Sequence, residues 1–351
     1  MSNPKNLLIV RTDRLGDVVL SLPLAGIIKN HFPDCKITYL IRGYTRDLLT
    51  GHKYVDNVMT LEEVKGKPIF FSNRKNISNY KFDYAIISYP DFLIALIIFF
   101  SGISNRIGTG FRWYSFLFNK RVFVHRKYAS KHEAEFNVDL LKELNIHEEI
   151  SPSHVSFDLP LTDNDKIEAK EFLLRSGIKK DRPIIIIHPG SGNSSVDLPK
   201  EKFKELINLI NSNLDAQIII TGSKDEKDLC NELVISDKIK NFAGYFSLRQ
   251  LTAIINECDI FISNSTGPLH IAAALGKNVL GFYPKILSCS AKRWGPYSDR
   301  STVFVPEINC ESCTVEKCIK LNCMSSINIA DVFANIFNIF ESIVKNGDNN
   351  A

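Results

Sequence analysis

The chain has 351 residues, 44% hydrophobic and 23% charged, with a formal net charge of +4 and a pI near 8.5. That length leaves room for about two domains with separate cores, and the mild basicity, with no recognition motif beside it, excludes nucleic acid as the expected partner. No apolar run nears the ~20 residues of a membrane-spanning helix, and Met1 to Asn6 carries no signal-peptide pattern, so a cytoplasmic protein is expected.

A first strand is expected at Leu7 to Val10, followed by the turn Arg11-Thr12-Asp13-Arg14-Leu15-Gly16-Asp17 and a helical pattern through Val18, Leu22, Ala25 and Ile28. Ligands of open parallel sheets lie beyond the carboxyl ends of the strands. Asp17 therefore stands where a carboxylate could take a proton from a substrate hydroxyl, and Gly16 permits close backbone approach. The bland alternative makes Asp17 a first-turn acid that complements the helix dipole. Strands near 36–41 and 82–88 and helices near 17–31, 92–101 and 132–145 complete an alternating first half.

Residues 1–150 hold 21 Lys and Arg against 15 Asp and Glu, whereas the remainder holds 22 against 24. Residues 92–132 contain no acid and interleave Arg106, Arg112, Lys120, Arg121, Arg126, Lys127 and Lys131 with Phe111, Trp113, Tyr114, Phe116 and Phe118. Such a surface suits anionic lipid or a phosphorylated saccharide, although buried aromatics with solvated cations would give the same pattern. The proline-containing stretch 145–165 reads as a linker.

A second alternating series follows, with strands near 184–188, 217–222, 259–263 and 279–283 and helices near 199–213, 224–235, 247–257 and 267–275. Its most telling stretch is Ser265-Thr266-Gly267-Pro268-Leu269-His270, where a strand passes through a hydroxyl-rich turn into a helix of small residues. Ser265 or Thr266 can cap that helix, and its first amides and dipole suit a phosphate. Near the end, Cys310, Cys313, Cys318 and Cys323 could hold a structural metal, or could be reduced packing thiols. The spacing Ile329, Val332, Phe333, Ile336, Ile339, Phe340 and Ile343 gives an amphipathic terminal helix.

Together these segments resemble glycosyltransferase family nine, the heptosyltransferase family of lipopolysaccharide assembly. The resemblance rests on residues 7–23, on His188-Pro189-Gly190-Ser191-Gly192, on Thr221-Gly222-Ser223-Lys224-Asp225-Glu226 and on residues 265–270, which fall in the family's order. It implies an α/β chain of the glycosyltransferase B-type fold: two facing Rossmann-like domains with parallel sheets and an interdomain cleft. Residues 1–160 would form the acceptor side and 161–327 the nucleotide-sugar side, with 328–351 a helix crossing back to the first domain and a frayed tail.

The same resemblance implies inverting transfer without a metal or other required cofactor, with Asp17 as the catalytic base. Ser191, Gly192, Glu226, Ser265, Thr266, Gly267 and His270 would bind the donor; Arg14, Arg112 and His132 would serve the acceptor. The expected donor is ADP-heptose and the expected acceptor a lipid-linked or other saccharide, met in peripheral contact with the cytoplasmic face of the inner membrane. Two departures bear on the donor. Val196 stands where many members have lysine, and Ser265 where aspartate is frequent. Another nucleotide sugar, or a non-catalytic saccharide-binding protein, therefore remains as an alternative. A nicotinamide dehydrogenase fits poorly, since no Gly-x-Gly-x-x-Gly follows the first strand.

Overall fold

Leu7 to Val10 form an unbroken apolar run, which suits a parallel strand covered on both faces. They belong to β1 (Asn6–Val10), in which every residue after Asn6 is buried. The chain continues into α1 (Leu15–Val19) and α2 (Pro23–His31). One helix from 17 to 31 was the expectation from periodicity; Pro23 divides it, because a proline has no N–H to give and fits only a first turn. β2 (Lys36–Ile41), β3 (Asn57–Thr60), a small hairpin of β4 (Glu63–Val64) and β5 (Lys67–Pro68), and α3 (Phe70–Asn79) follow. The unit is completed by β6 (Tyr84–Ile87), α4 (Phe92–Phe100), β7 (Asn105–Thr109), β8 (Lys120–Val122) and α5 (Glu133–Val138). The segment expected to be helical from 132 to 145 is α5 followed by 3-10 turns over Asp139–Leu144.

These elements come from a computed structural model that describes residues 3–308 and 313–348. The chain divides into two units, Met1–Pro160 and Leu161–Ala351. In the first, six parallel strands are ordered β3-β2-β1-β6-β7-β8. Leu8, Val10, Ala85 and Ile87 pack beneath α4 with Ile94, Ile97 and Ile98. The strand order reverses between β1 and β6, and the loops leaving those two strands border the crevice that this reversal opens.

The second unit repeats the plan. α6 (Asp163–Arg175) starts at Thr162 with a capping box, inside the stretch read as linker. Then come β9 (Ile184–His188), α7 (Lys200–Asn213), β10 (Gln217–Ile220), α8 (Lys227–Glu232), β11 (Lys240–Asn241) and α9 (Leu248–Glu257). β12 (Ile260–Asn264), α10 (Gly267–Ala274), β13 (Asn278–Phe282), α11 (Ala291–Trp294), β14 (Ser301–Phe304), α12 (Val315–Lys320) and α13 (Ile329–Asp348) finish the unit. Its parallel sheet has the order β11-β10-β9-β12-β13-β14, so the reversal lies between β9 and β12.

Val332, Ile336 and Phe340 of α13 share a core with Phe203, Leu206 and Ile210 of α7. Cys318 and Cys323 are buried in that core and Cys313 packs against it, while Cys310 lies outside the described residues. Among the described residues, no group of three or more His, Cys, Asp or Glu is placed to hold a metal ion, and no helix is long and apolar enough to cross a membrane.

Candidate functional site

At the crevice of the first sheet, β1 delivers its last apolar residue and then Arg11, whose side chain is 1% exposed. A guanidinium so deeply buried needs carboxylates and hydrogen bonds around it. Its Nε donates to Asp13 at 2.8 Å, Nη2 to Asp17 at 2.5 Å, and Nη1 to Glu133 at 3.2 Å and Asn137 at 3.0 Å. Arg126 binds the same Glu133 carboxylate. Burial works against the Arg11 charge, but Asp13, Asp17 and Glu133 outweigh it and hold the group protonated. Asp13 is pushed well above the usual carboxylate range by burial and by the neighbouring Asp17, only partly offset by Arg11.

Asp17 lies in the first turn of α1, which has no side-chain cap. Its carboxylate is 13% exposed, oriented by Arg11, and within reach of solvent. It can accept a proton. Tyr44 donates its hydroxyl to the Asp13 carbonyl at 3.1 Å and closes one side of the turn. Arg14 is the exposed N-cap residue of α1, and Arg112 is exposed on the loop after β7. His132 caps α5: its Nδ1 accepts from the Ala134 amide at 3.2 Å, within a capping box shared with Glu135.

At the crevice of the second sheet, β9 ends in His188 and the loop Pro189 to Leu198 follows. Asn264, the last residue of β12, fastens both ends of that loop: its Nδ2 donates to Pro189 O at 2.6 Å, and its Oδ1 accepts from the Leu198 amide at 2.8 Å. The loop and the Ser265–Gly267 turn are therefore held side by side. Glu226 accepts from the Gly192 amide at 3.1 Å and the Ser223 amide at 2.7 Å. Burial alone would raise its value, and the Ser223 and Gly192 amides hold it below normal instead. A Cβ at Gly190 would fall on the Glu226 carboxylate, so that carboxylate keeps this place only beside a glycine. Gly192 has φ +55, a left-handed conformation that suits glycine.

His188 is fully buried and donates to or accepts from Thr221 Oγ1 at 2.9 Å. Burial lowers its pKa to about 4, against a small opposite pull from Glu226, so the ring is neutral near pH 7. Ser265, Thr266 and His270 are all buried. Thr266 is the N-cap residue of α10, yet its side chain makes no capping bond, unlike Thr162 and Ser247 at α6 and α9. The helix start thus presents backbone amides without a side chain drawn across them, an arrangement that favours an anion.

The chain as a whole, with a turn at the reversal of each of its two Rossmann-type sheets, is similar to known proteins over most of its length. The family described as Glycosyltransferase family 9 (heptosyltransferase) matches residues 70–324. The chain belongs to this family. Lipopolysaccharide core heptosyltransferase OpsX of Haemophilus influenzae is 24% identical over 291 residues, covering 80% of this chain and 79% of its own. The family 9 glycosyl transferase of Veillonella parvula superposes with TM-score 0.81 at 18% identity, over 97% of this chain and 100% of its own. E. coli ADP-heptose lps heptosyltransferase II does so with TM-score 0.77 at 19% identity, over 96% and 99%.

As a family 9 glycosyltransferase the chain is an enzyme of the glycosyltransferase B-type fold, and Val196 acquires a structural meaning. Val196 packs against the apolar core of the second unit. Lys200, the cation nearest to it, begins α7 and is taken by Glu232. Sequence reasoning missed Arg11, Asp13, Glu133, Arg126 and Asn137 as one network, because Glu133 and Asn137 reach the turn from 122 and 126 residues away. The available signal was an arginine set directly after a buried strand. Asn264 was missed in the same way; a polar residue closing an apolar strand marked it.

Proposed function

We propose that this glycosyltransferase moves heptose from ADP-heptose onto a lipopolysaccharide-core or related saccharide acceptor, with inversion and without a catalytic metal. Asp17 removes the proton of the acceptor hydroxyl as its oxygen attacks the anomeric carbon, on the face opposite the diphosphate. The departing ADP carries the negative charge onto the amides of Thr266 and Gly267 and of the Ser191–Gly192 loop, which are already fixed in place and need no reorganisation. Glu226 receives the ribose hydroxyls and His270 contributes to the donor pocket. Arg14, Arg112 and His132 belong to the acceptor side. The observation that supports the reading is the Asp17 carboxylate, held by the buried Arg11 in the turn after β1 and still partly exposed.

The reading extends to where the enzyme works: peripherally, at the cytoplasmic face of the inner membrane. Its support is the acid-free region around α4. Phe92, Phe99 and Phe100 are exposed on that helix, and Trp113, Phe116 and Phe123 are each more than 60% exposed beside Arg112 and Arg121. Exposed aromatics rimmed by cations suit an anionic lipid surface.

The test is transfer from ADP-heptose with excess chelator present, and NMR assignment of the new linkage. Undiminished turnover and an anomeric configuration opposite to the donor's are expected. A retained configuration, or activity that chelation abolishes and a divalent ion restores, contradicts the mechanism.

A further inference from the structure

The loop from Pro189 to Leu198 carries three side-chain oxygens that are shut away from water without a hydrogen-bond partner: Ser191 Oγ, Ser195 Oγ and Asp197 Oδ1. Buried polar atoms normally find partners, and leaving a carboxylate oxygen without one is costly. Three within seven residues is a concentration that folding alone does not reward. The loop is otherwise well anchored, since Asn264 ties both its ends and Ser194 N donates to Ser191 O at 3.1 Å. The backbone is tied at both ends while these three side-chain oxygens stay without a partner.

The chemistry of these groups says what they wait for. A carboxylate and two hydroxyls accept hydrogen bonds from hydroxyl groups, so these side-chain oxygens suit the sugar end of the donor, while its diphosphate is left to the backbone amides. Burial, reinforced by Glu226, lifts the Asp197 pKa to about 6; the Ser191 hydroxyl nearby opposes the rise without completing a hydrogen bond in good geometry. The nearest cation in sequence, Lys200, is held by Glu232. Nothing within the loop neutralises the carboxylate. The clamp made by Asn264 sets Asp197, one residue before Leu198, beside the turn that begins at Ser265, where a carboxylate expected from the family is missing.

We propose that Asp197, assisted by the hydroxyls of Ser191 and Ser195, binds the hydroxyl groups of the donor's sugar and takes over the role of the carboxylate absent at Ser265. The inference rests on the donor-site reading given above. Asp197 is a specificity-determining residue: it touches the sugar, leaves the nucleotide alone, and favours donors rich in free hydroxyls.

Calorimetric titration of ADP and of ADP-heptose into wild type, Asp197→Asn, and Asp197→Asn combined with Ser265→Asp tests this. Asp197→Asn is expected to weaken ADP-heptose about tenfold or more, the difference between a charged and a neutral acceptor. ADP is expected to change by less than about twofold, and the second substitution to restore much of the loss. The melting temperature of ligand-free Asp197→Asn at pH 8 should equal or exceed that of wild type, because an unpaired buried charge has gone. Unchanged ADP-heptose affinity, equal loss of ADP and ADP-heptose, or a lower melting temperature overturns the inference and leaves the donor reading standing. A folded wild type that binds neither ligand ends the donor reading, and this inference with it.

Discussion

The turn after β1 and the turn after β12 each stand at the reversal of their own sheet, in two sheets of equivalent strand order, yet they are made from opposite materials. The first is built of side-chain charge: a buried arginine, three carboxylates and a second arginine locked together. The second is built of backbone: an uncapped helix start, a glycine-containing loop and an asparagine clamp. The difference fits the tasks proposed for them. A proton acceptor must be a titratable group whose neighbours set its charge, whereas a leaving diphosphate is best met by dipoles that are fixed beforehand and never titrate.

The largest break in the comparison should come from Arg11→Met. Removing a buried cation leaves Asp13, Asp17 and Glu133 facing one another, a loss of about 3–5 kcal/mol. Chemical denaturation should show it, with no comparable loss from a substitution at Thr266.

Acid stability separates the two turns next. The folded pKa of His188 lies near 4, below its ordinary 6.5. Its neutral, buried state therefore contributes fully above about pH 6.5, and the contribution fades as pH falls toward 4, by up to about 3 kcal/mol. His188→Gln should flatten that part of the stability profile. A profile unchanged by the substitution would place the acid sensitivity in the first unit.

Gly190→Ala should displace the Glu226 carboxylate from the Gly192 and Ser223 amides and weaken ADP by about tenfold, on the order of one lost charged hydrogen bond. Unaltered ADP binding would remove Glu226 from the donor site. Asp13→Asn acts on the other turn. It removes the carboxylate that accepts from the buried Arg11 Nε, so chemical denaturation should show a loss of about 1–3 kcal/mol while ADP affinity stays unchanged. The smallest effect on the fold is expected from Trp113→Ser, within about 0.5 kcal/mol. It should nonetheless reduce sedimentation with vesicles containing anionic lipid, and unaffected binding would detach the aromatic region from the membrane.

What could be read in the sequence follows the same division. Apolar runs within Asn6–Val10 and Ile184–His188 announced a strand beside each sheet's reversal, because a strand buried on both faces has no room for polar alternation. The outer strands Asn57–Thr60, Asn105–Thr109 and Ser301–Phe304 escaped notice, since partial burial lets polar residues into them. The backbone-built turn was legible because its residues, Ser265 to His270, are consecutive. The charge-built turn was legible only at Asp17. Arg11 gains its partners from α5, and no local pattern reports a contact made across more than a hundred residues. Asp197 was hidden for another reason: a carboxylate left unpartnered by its own chain is visible only once the chain has folded.

The division of labour is tested most directly by measuring ADP-heptose binding and sugar transfer on the same preparation of Asp17→Asn. Affinity should stay within about twofold while turnover falls by about a thousandfold, as for removal of a general base. Turnover within tenfold of wild type, or affinity lost together with it, would contradict the assignment of proton transfer to the first turn and donor binding to the second.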